Sequence, residues 1–580
     1  MRMSGGGPAL MSEVPALVAR IREHAARRPH YAAVRFHSTV SGGQPQGSTL
    51  TYDELDRTVR AVAVGLRGWP RGTRVLLAHA PGLSFVTSFL GCLYAGLVPV
   101  PVPPPTGHRH QVQRSAGVAR DSGAAVALAD PEGRDAVAEW LKQSDLGHIV
   151  CGTAEEFAAS ASDWVPPPPA EIAFLQYTSG STSEPKGVMV GHDNLADNIE
   201  LMRRSHGWGP EDVFCSWLPV YHDMGLIAML LTPIYLGATA VLFPAMDFLK
   251  RPFLWLELLD RHRATVSCAP NFAYDLATRH VTDEQLARLD LAAWRYACNG
   301  AEPIDANTLA RFAERFAPAG LRPEALLPGY GLAEATLYVS GTRHQIPPVV
   351  LGVDPEELAR DRLAPVSGDA PSVKLVSSGV VRDLDVRIVH PQTRHPLPDR
   401  QIGEVWIRGG SVARGYWNRP AETKETFGAH TADGDGPFLR TGDLGCFDGG
   451  ELYITGRRKE MLIINGRNLY PHDIEREAGD VDPIFAALPT CVFSVPGRQG
   501  EAIVLVQEIR SRGLSETDLR AYARTAKSVL SVRLGVRVPN VVFVRPGHVL
   551  RTSSGKIQRR RMREDFLTGS LQPLYVDLET

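Results

Sequence analysis

Two stretches of the chain contain no Lys, Arg, Asp or Glu over more residues than a membrane-spanning helix needs, at residues 75–108 and 224–246. Pro and Gly interrupt both stretches, and neither has a cluster of Lys and Arg on one side only. Near-continuous apolar runs are also typical of parallel sheets whose two faces are covered by helices. We therefore interpret each stretch as a buried helix that leads into a buried strand, and expect no membrane span.

Short runs rich in Val, Ile and Leu alternate with helical patterns along much of the chain. Examples of the runs occupy residues 74–80, 237–243, 264–270 and 404–409. An amphipathic helical pattern at residues 83–94 comes after the first of them. Alternation of this kind predicts an α/β fold.

Changes in composition indicate where the chain divides. The Pro-rich residues 99–107 and the four consecutive prolines at 166–169 are typical of linkers. After Gly456 the chain becomes basic and polar, and the C-terminal residues beyond it have strand and helix patterns of their own. We predict a large N-terminal domain of layered α/β subdomains at residues 1–456 and a small, mobile C-terminal α+β domain at residues 457–580.

The charge balance and the cysteines exclude several classes of protein. The 580 residues include 62 Lys and Arg and 64 Asp and Glu, a formal net charge of −2. This balance gives no overall attraction to nucleic acid or to an anionic membrane, so we expect neither as a partner. The seven cysteines are scattered and include no C-x-x-C pair, which argues against a disulfide scaffold or a zinc site. We expect reduced thiols and a cytoplasmic location.

A loop rich in Ser, Thr and Gly comes directly after the apolar run at residues 172–176. Its hydroxyl groups and unhindered backbone N–H groups can bind phosphate oxygens, and Lys186 near its end adds a positive charge. Its glycines do not have the spacing of a Walker P-loop. A flexible surface loop is the alternative interpretation. The candidate phosphate-binding residues are Thr178, Ser179, Gly180, Ser181, Thr182 and Lys186.

Residues 177–188 resemble the phosphate-binding signature of the adenylate-forming superfamily: acyl-CoA synthetases, adenylation domains of peptide synthetases, luciferases and fatty-acyl-AMP ligases. Five further motifs of that superfamily occur in the expected order. They are Asn299-Gly300-Ala301-Glu302-Pro303, Gly329-Tyr330-Gly331-Leu332-Ala333-Glu334, Arg440-Thr441-Gly442-Asp443, Gly456-Arg457-Arg458-Lys459-Glu460 and Ser553-Ser554-Gly555-Lys556. Six motifs in order make a chance match negligible.

The resemblance implies a role for each motif. Besides the phosphate loop, the residues implied to bind ATP or AMP are Asn299, Gly300, Ala301, Glu302, Gly329, Tyr330, Gly331, Leu332, Asp443, Arg457 and Lys556. Glu334 is implied to hold Mg²⁺, and Lys459 to lie at the hinge between the domains. Attack of a carboxylate on the α-phosphate of ATP brings two anions together, so catalysis depends on positioning and charge neutralisation. The candidate catalytic residues are Thr178, Lys186, Glu334 and Lys556.

Residues 216–227 distinguish between branches of the superfamily. They resemble the Leu-Pro-x-x-His-Asp-Met-Gly-Leu pattern of fatty-acyl-AMP ligases and lack the Phe-Asp motif of peptide-synthetase domains, whose acidic residue holds an amino group. The candidate acyl-pocket residues are His222, Asp223, Met224, Gly225 and Leu226. The apolar residues after them suit either a tunnel for an alkyl chain or a plain core.

An extra segment at about residues 343–374 matches the place where fatty-acyl-AMP ligases carry an insertion. It contains an apolar stretch at residues 346–353 that we expect to be buried. Packed on the large domain, this insert could restrict the movement of the small domain and exclude free CoA. An incidental surface loop is the alternative.

The resemblance therefore implies a fatty acid:AMP ligase. Such an enzyme uses ATP and Mg²⁺ to activate a medium- or long-chain fatty acid, then passes the acyl group to the phosphopantetheine thiol of a separate holo acyl carrier protein, in lipid, polyketide or lipopeptide biosynthesis. The alternatives are an acyl-CoA synthetase and an inactive nucleotide-binding regulator. Six cations at residues 551–563 could attract an acidic carrier protein, or could form only a solvated basic face.

Overall fold

A computed structural model describes residues 16–38, 46–105, 109–178, 185–368, 372–464, 467–485, 488–497, 500–534, 537–552 and 555–579. The helices are α1 Ala16–Arg27, α2 Tyr52–Leu66, α3 Leu83–Tyr94, α4 Arg109–Ser122, α5 Arg134–Gln143, α6 Ala154–Phe157, α7 His192–His206, α8 Thr232–Leu236, α9 Ala245–Lys250, α10 Phe253–Arg261, α11 Asn271–His280, α12 Asp283–Leu286, α13 Ala306–Phe316, α14 Pro355–Leu358, α15 Pro420–Phe427, α16 Pro471–Gly479, α17 Glu516–Leu534 and α18 Arg559–Leu567. A π-helix, Met224–Leu231, precedes α8.

The strands alternate with these helices over the first half of the chain. They are β1 Ala32–Ser38, β2 Gln46–Thr51, β3 Arg74–Leu77, β4 Val98–Pro101, β5 Val126–Ala129, β6 Val150–Thr153, β7 Phe174–Thr178, β8 Lys186–Val190, β9 Val213–Ser216, β10 Thr239–Leu242, β11 Val266–Ala269, β12 Tyr296–Asn299, β13 Leu326–Gly331, β14 Tyr338–Gly341, β15 Val350–Val353, β16 Val373–Val376, β17 Val380–Val381, β18 Asp385–Val389, β19 Gly403–Arg408, β20 Leu439–Asp448, β21 Glu451–Arg457, β22 Leu462–Ile464, β23 Arg467–Leu469, β24 Thr490–Gly497, β25 Gly500–Glu508, β26 Asn540–Val544 and β27 Pro573–Asp577.

The largest sheet has the strand order β18-β19-β20-β21-β17-β14-β13-β12-β11-β9-β10-β1-β2. Strands β1, β10, β9, β11, β12 and β13 run parallel to their neighbours in this series, and β13 then pairs antiparallel with β14. Loops at the carboxyl ends of parallel strands meet at one edge of the sheet, which is where ligands bind in open α/β folds. The prediction of an α/β fold is confirmed.

Both uncharged stretches fold as predicted. In the first, the buried helix α3 leads into the buried strand β4. In the second, the π-helix and α8 lead into β10, and the burial is again nearly complete. Across the described ranges, no helix combines the length and apolar character that a bilayer crossing requires.

One predicted linker is partly wrong, because residues 99–101 of the Pro-rich segment 99–107 belong to strand β4. This strand lies at the edge of a second sheet with the order β4-β3-β5-β6. The N–H groups of Val98 and Val102 donate to the carbonyl oxygens of Thr73 and Leu77, at 2.9 and 3.0 Å. Pro99 and Pro101 alternate with these donors, so their missing N–H groups fall on the unpaired side, where an edge strand tolerates proline.

The segment beyond β21 builds separate sheets with separate hydrophobic cores. Strands β24, β25, β26 and β27 form one sheet in that order. Side chains such as Leu505, Leu530 and Phe543 form a buried cluster between this sheet and its helices. The other face of the sheet has a second cluster that includes Val504 and Met562.

Candidate active site

A cavity of about 2060 Å³ opens at the carboxyl ends of β11, β12 and β13 and is covered by residues beyond β21. Most of the sequence-predicted site residues line it. They are Thr178, His222, Asp223, Met224, Gly225, Asn299, Gly300, Ala301, Glu302, Gly329, Tyr330, Gly331, Leu332, Glu334, Asp443, Arg457, Lys459 and Lys556. Residues separated by almost 400 positions in the chain are therefore brought to one place.

Several predicted residues are not in this lining. Ser179, Gly180, Ser181 and Thr182 lie outside the described residues. Leu226 is fully buried in the main core, which corrects its assignment to the acyl pocket. Met224, Gly225 and Ala228 share the side of this helix that lines the cavity, whereas Leu226, two residues after Met224, lies on the other side.

Asp443 has two hydrogen-bonding neighbours at the cavity wall. The Tyr330 hydroxyl donates to Oδ2 of Asp443 at 2.7 Å, and Nε of Arg457 lies 3.1 Å from Oδ1. Strands β20 and β21 pair Asp443 directly with Arg457. The carboxylate of Asp443 raises the pKa of Arg457, so this guanidinium stays charged. The arrangement holds a buried carboxylate that can accept hydrogen bonds from sugar hydroxyls.

Glu334 is oriented by a tyrosine. The Tyr416 hydroxyl donates to Oε1 of Glu334 at 2.8 Å, and Nζ of Lys186 lies 5.1 Å from the centre of the Tyr416 ring. Lys186 does not line the cavity; it forms an ion pair with Glu422 of α15. Strands β7 and β8 pair Thr178 with Lys186, so both residues flank the phosphate-loop segment.

The Glu334 side chain has the chemistry of a magnesium ligand. No group of three or more His, Cys, Asp or Glu side chains positioned to hold a metal occurs among the described residues. Mg²⁺ is commonly held by one or two carboxylates together with substrate phosphates and water. A single oriented carboxylate beside the phosphate-loop segment fits that pattern.

The segment after β12 forms another wall. Nδ2 of Asn299 donates to Oδ1 of Asn271 at 3.3 Å, whereas the buried Oδ1 of Asn299 has no hydrogen-bond partner among the described residues. Ala301 adopts a left-handed φ of 69°. Oε1 of Glu302 accepts from the Phe272 N–H at 2.7 Å. A buried acceptor without a partner beside a cavity can bind a ligand N–H group.

The segment before the π-helix forms the opposite wall. Burial lowers the pKa of His222 to about 3, and the nearby cations Arg114 and Lys556 contribute to this lowering, so this imidazole is neutral near pH 7. Burial raises the pKa of Asp223, whose Oδ1 accepts from the Met224 N–H at 2.8 Å. A Cβ atom on Gly225 would lie 2.3 Å from the Pro219 carbonyl oxygen, so only glycine fits there.

Lys556 enters the cavity from the C-terminal segment. The N–H of Thr552 donates to the Lys556 carbonyl at 2.7 Å, and the N–H of Lys556 donates to Oγ1 of Thr552 at 3.0 Å. Burial lowers the pKa of Lys556 and Arg457 lowers it further, while nearby carboxylates, first among them Asp223, oppose this change. The ammonium group therefore lies within electrostatic reach of side chains from several walls.

Sequence reasoning missed Arg114, which lines the same cavity from helix α4. Burial lowers its pKa, and the group that opposes this change is Tyr221, not a carboxylate. No ion pair involves Arg114 within the described part of the chain, so this cation is available to an anionic ligand. Nothing in the sequence near Arg114 matches a motif that would have indicated it.

The predicted insert forms β15, α14 and β16. Strands β15 and β16 pair antiparallel. The expectation that its apolar stretch is buried is partly wrong, because Ile346, Val349 and Val350 are exposed and only Val353 is fully buried.

The insert also contacts the C-terminal segment. Nδ2 of Asn468 donates to both carboxylate oxygens of Asp361, at 3.0 and 2.9 Å. The N–H of Asn468 donates to the Ala359 carbonyl at 3.2 Å. Val353 of the insert packs in one cluster with Tyr470. These contacts connect the insert directly to the segment that carries Lys556.

The cations at residues 551–563 do not form one free basic face. Arg559 pairs with Glu460 at 2.6 Å and with Glu475 at 2.5 Å. Nε of Arg561 lies 3.7 Å from Oδ1 of Asp565, and Nε of Arg563 donates to the Ser494 carbonyl at 2.7 Å. The ion pairs neutralise much of the charge that the sequence suggests.

Comparison with known proteins agrees with this geometry. The family described as AMP-binding enzyme matches residues 21–417. The chain is 38% identical over 570 residues to the medium-chain-fatty-acid–acyl-carrier-protein ligase JamA of Moorena producens, and the match covers 94% of each chain. It is 36% identical over 590 residues to the long-chain-fatty-acid–AMP ligase FadD26 of Mycobacterium marinum, covering 98% of this chain and 100% of that protein.

A solved structure shares the whole architecture. The fatty acyl-adenylate ligase from L. pneumophila in complex with acyl adenylate and pyrophosphate is 34% identical, with a TM-score of 0.75. The alignment covers 98% of this chain and 99% of that chain.

Proposed function

The chain belongs to the AMP-binding enzyme family, and from this premise we propose that it is a fatty acid:AMP ligase that serves a carrier protein. In the first step, a carboxylate oxygen of the fatty acid attacks the α-phosphorus of ATP, and pyrophosphate leaves with the electrons of the broken P–O bond. In the second step, a phosphopantetheine thiol attacks the acyl carbonyl. A thioester forms, AMP leaves, and the thiol proton passes to solvent.

The observation that carries this proposal is the position of Lys556 in the cavity. Its ammonium group is electrostatically coupled to Asp223 on the acyl side and to Asp443 on the nucleotide side. A cation between these two walls can neutralise the attacking carboxylate and the α-phosphate together. The full-length similarity to a fatty-acid–acyl-carrier-protein ligase supports the same assignment.

The nucleotide side has groups for each part of ATP. Asp443 would accept hydrogen bonds from the ribose hydroxyls, and the unpartnered Oδ1 of Asn299 would accept from the amino group of adenine. Thr178 and Lys186 would support the phosphate loop from its two flanks. Glu334 would hold Mg²⁺, which, when bound, neutralises phosphate charge.

The second step needs a movement of the C-terminal segment. We place the domain boundary after residue 456 and the hinge at Lys459, which is exposed in the turn after β21. The insert contacts this segment through Asn468, which supports the proposal that the insert limits its movement. The surface of a carrier protein contributes binding energy when its phosphopantetheine enters the site, and free CoA lacks this contribution. The acceptor is therefore a holo acyl carrier protein.

An assay with two acceptors tests the proposal. The purified protein is given ATP, Mg²⁺ and a fatty acid, and acyl-AMP and pyrophosphate are measured. Holo carrier protein or free CoA is then added, with apo carrier protein as the control that lacks the thiol. We expect acyl-AMP to accumulate, holo carrier protein to be acylated and little acyl-CoA to form. Rapid acyl-CoA synthesis would make the enzyme an acyl-CoA synthetase, and absence of acyl-AMP with every fatty acid would refute ligase activity.

A further inference from the structure

One buried aromatic residue lines the cavity from the end of helix α7. Trp208 comes after helix α7, where Gly207 adopts a left-handed φ of 75° and ends the helix. The indole is only 3% exposed. It lines the cavity together with Met202 of α7 and Ala228 of the π-helix, whose first residues lie at the predicted acyl pocket.

Trp208 also lines a second cleft on its other side. This outer cleft has a volume of about 630 Å³ and is bordered mostly by charged side chains, among them Arg20 of α1, Arg203 of α7 and Glu211. Trp208 is the residue common to the linings of the cavity and of this cleft. The indole therefore separates the inner cavity from a space that continues outward.

Neighbouring rings hold the indole in place. His206 stacks on Trp208 with ring centroids 4.7 Å apart, and Phe214 meets it edge-on at 5.2 Å. Burial lowers the pKa of His206 to about 3, so the stacked imidazole is neutral near pH 7. Nε1 of Trp208 and Nδ1 of His206 are buried without a hydrogen-bond partner among the described residues, but the ring faces are uncharged and packed, so this wall does not yield easily.

We infer that Trp208 is the residue that sets the upper limit of acyl chain length in this enzyme. The inference rests on the proposed fatty acid:AMP ligase activity and assigns its substrate specificity to one position. Each methylene buried in the cavity contributes about 0.8 kcal/mol, or about fourfold in kcat/KM. That gain stops when the end of the acyl chain reaches the indole. A longer acid must fold back on itself or does not bind.

The test is a chain-length profile. Pyrophosphate release is measured for straight-chain saturated fatty acids in steps of two carbons, with the intact protein, Trp208→Ala and Trp208→Leu. We expect kcat/KM of the intact protein to rise with length and then to fall sharply. In Trp208→Ala the rise continues to somewhat longer acids, because the alkyl chain can fill the space that the indole leaves, and it stops again at the charged outer cleft. Trp208→Ala should lower the KM for long acids and leave the kcat for short acids nearly unchanged.

Two further variants keep the result interpretable. Loss of a buried indole destabilises the fold, and Trp208→Leu reduces this effect because it keeps an apolar side chain. Trp208→Leu should shift the chain-length limit by less than Trp208→Ala does. Trp164→Ala makes the same change at a tryptophan that contacts Tyr94 and lines neither space, and it should leave the profile unchanged.

The outcomes separate the two proposals. An unchanged length limit in folded Trp208→Leu and Trp208→Ala would overturn the role of Trp208 and leave the ligase activity intact. An equal loss of activity for all chain lengths would also overturn it, because a purely structural role predicts that result. Failure of the intact protein to release pyrophosphate with any fatty acid would refute the ligase activity itself.

Discussion

Lys556 is a single residue whose charge is unfavourable in its surroundings and necessary for the proposed reaction. Burial and Arg457 lower its pKa below that of an ordinary lysine. Lys556 is therefore fully protonated at low pH and loses its positive charge as the pH rises through this lowered pKa. Acyl-AMP formation should consequently decline on the alkaline side, starting at a lower pH than free lysine would predict.

Substitutions of Lys556 test this charge directly. Lys556→Ala should slow acyl-AMP formation by about 10²- to 10³-fold, because it removes one preorganised charge contact, while ATP binding changes much less. Lys556→Arg keeps a cation at every accessible pH, so the activity that remains should lack the alkaline decline. Lys142→Ala, at an exposed lysine of α5, is the control. Pyrophosphate release as a function of pH measures all three, and an unaffected Lys556→Ala would remove this residue from the mechanism.

Arg114 is a second residue with a testable role. If it binds an anionic group of the substrates, Arg114→Gln should raise the KM of ATP or of the fatty acid by about 10- to 100-fold, because a hydrogen bond to a charged group contributes about 1.5–3 kcal/mol. The pKa of His222 should rise in this variant, since Arg114 is one cause of its low value. Steady-state kinetics and NMR titration of the histidines measure these effects.

The control for Arg114 lies on the same helix. Arg120 is exposed on α4 and donates to the Ser144 carbonyl at 3.2 Å, away from the cavity. Arg120→Gln should leave both KM values unchanged. Equal effects of the two substitutions would mean that α4 is merely destabilised and that Arg114 has no special role.

At the scale of elements, we propose that the contact between the insert and strand β23 limits the movement of the C-terminal segment. Asn468 on β23 donates to both oxygens of Asp361 in the insert. Asn468→Ala removes these hydrogen bonds and should loosen the attachment of the C-terminal segment, since bonds to a charged group contribute about 1.5–3 kcal/mol. We expect acyl-CoA formation to increase while acyl-AMP formation is maintained.

A matched change in the same insert checks that prediction. Glu356 has a side chain that is 73% exposed, and its carboxylate lies 3.5 Å from Arg360 of the insert itself, so Glu356→Ala should not alter the choice of acceptor. Acyl-CoA is measured by chromatography at saturating CoA. If Asn468→Ala rejects CoA as completely as the intact protein does, the contact with the insert is not what excludes CoA.

Elements also show which parts of the site the sequence could predict. The motif at residues 299–303 and the motif at 329–334 begin at or near the ends of parallel strands, and the carboxyl ends of such strands meet at one edge of the sheet. The order of the motifs therefore predicted most of the cavity. Arg114 and Trp208 belong to no motif. They reach the cavity only through the packing of α4 and the end of α7, which local patterns do not encode.

Packing also explains the errors. Leu226 stands next to Gly225 in the motif, but it comes two residues after Met224 in a helix, and this spacing places it on the side away from the cavity. Within the run of cations at residues 551–563, the partners of Arg559 are Glu460 and Glu475, which come from other segments and are not evident from the run itself. Periodicity within one segment identifies buried faces well and does not identify partners contributed by distant segments.

At the scale of the whole molecule, the C-terminal segment covers the cavity with Lys556 inside it. This arrangement suits the first reaction, in which we propose that the ammonium group neutralises the charges of the carboxylate and the α-phosphate. The second reaction requires a thiol to reach the acyl carbonyl, so we propose that this segment rotates about Lys459 between the two steps.

A proline at the hinge separates the two steps. Proline fixes φ near −65° and removes a backbone donor, so Lys459→Pro restricts rotation without touching the groups that bind ATP. Transfer of the acyl group to holo carrier protein should slow more than acyl-AMP formation, and acyl-AMP should accumulate during turnover. Lys459→Ala removes the same charge with a free backbone and should support transfer nearly as well as the intact protein. Rapid-quench measurement of acyl-AMP and of acylated carrier protein distinguishes the steps. The movement does not take place at this residue if Lys459→Pro slows both steps equally. The same conclusion follows if Lys459→Ala slows acyl transfer as much as Lys459→Pro does.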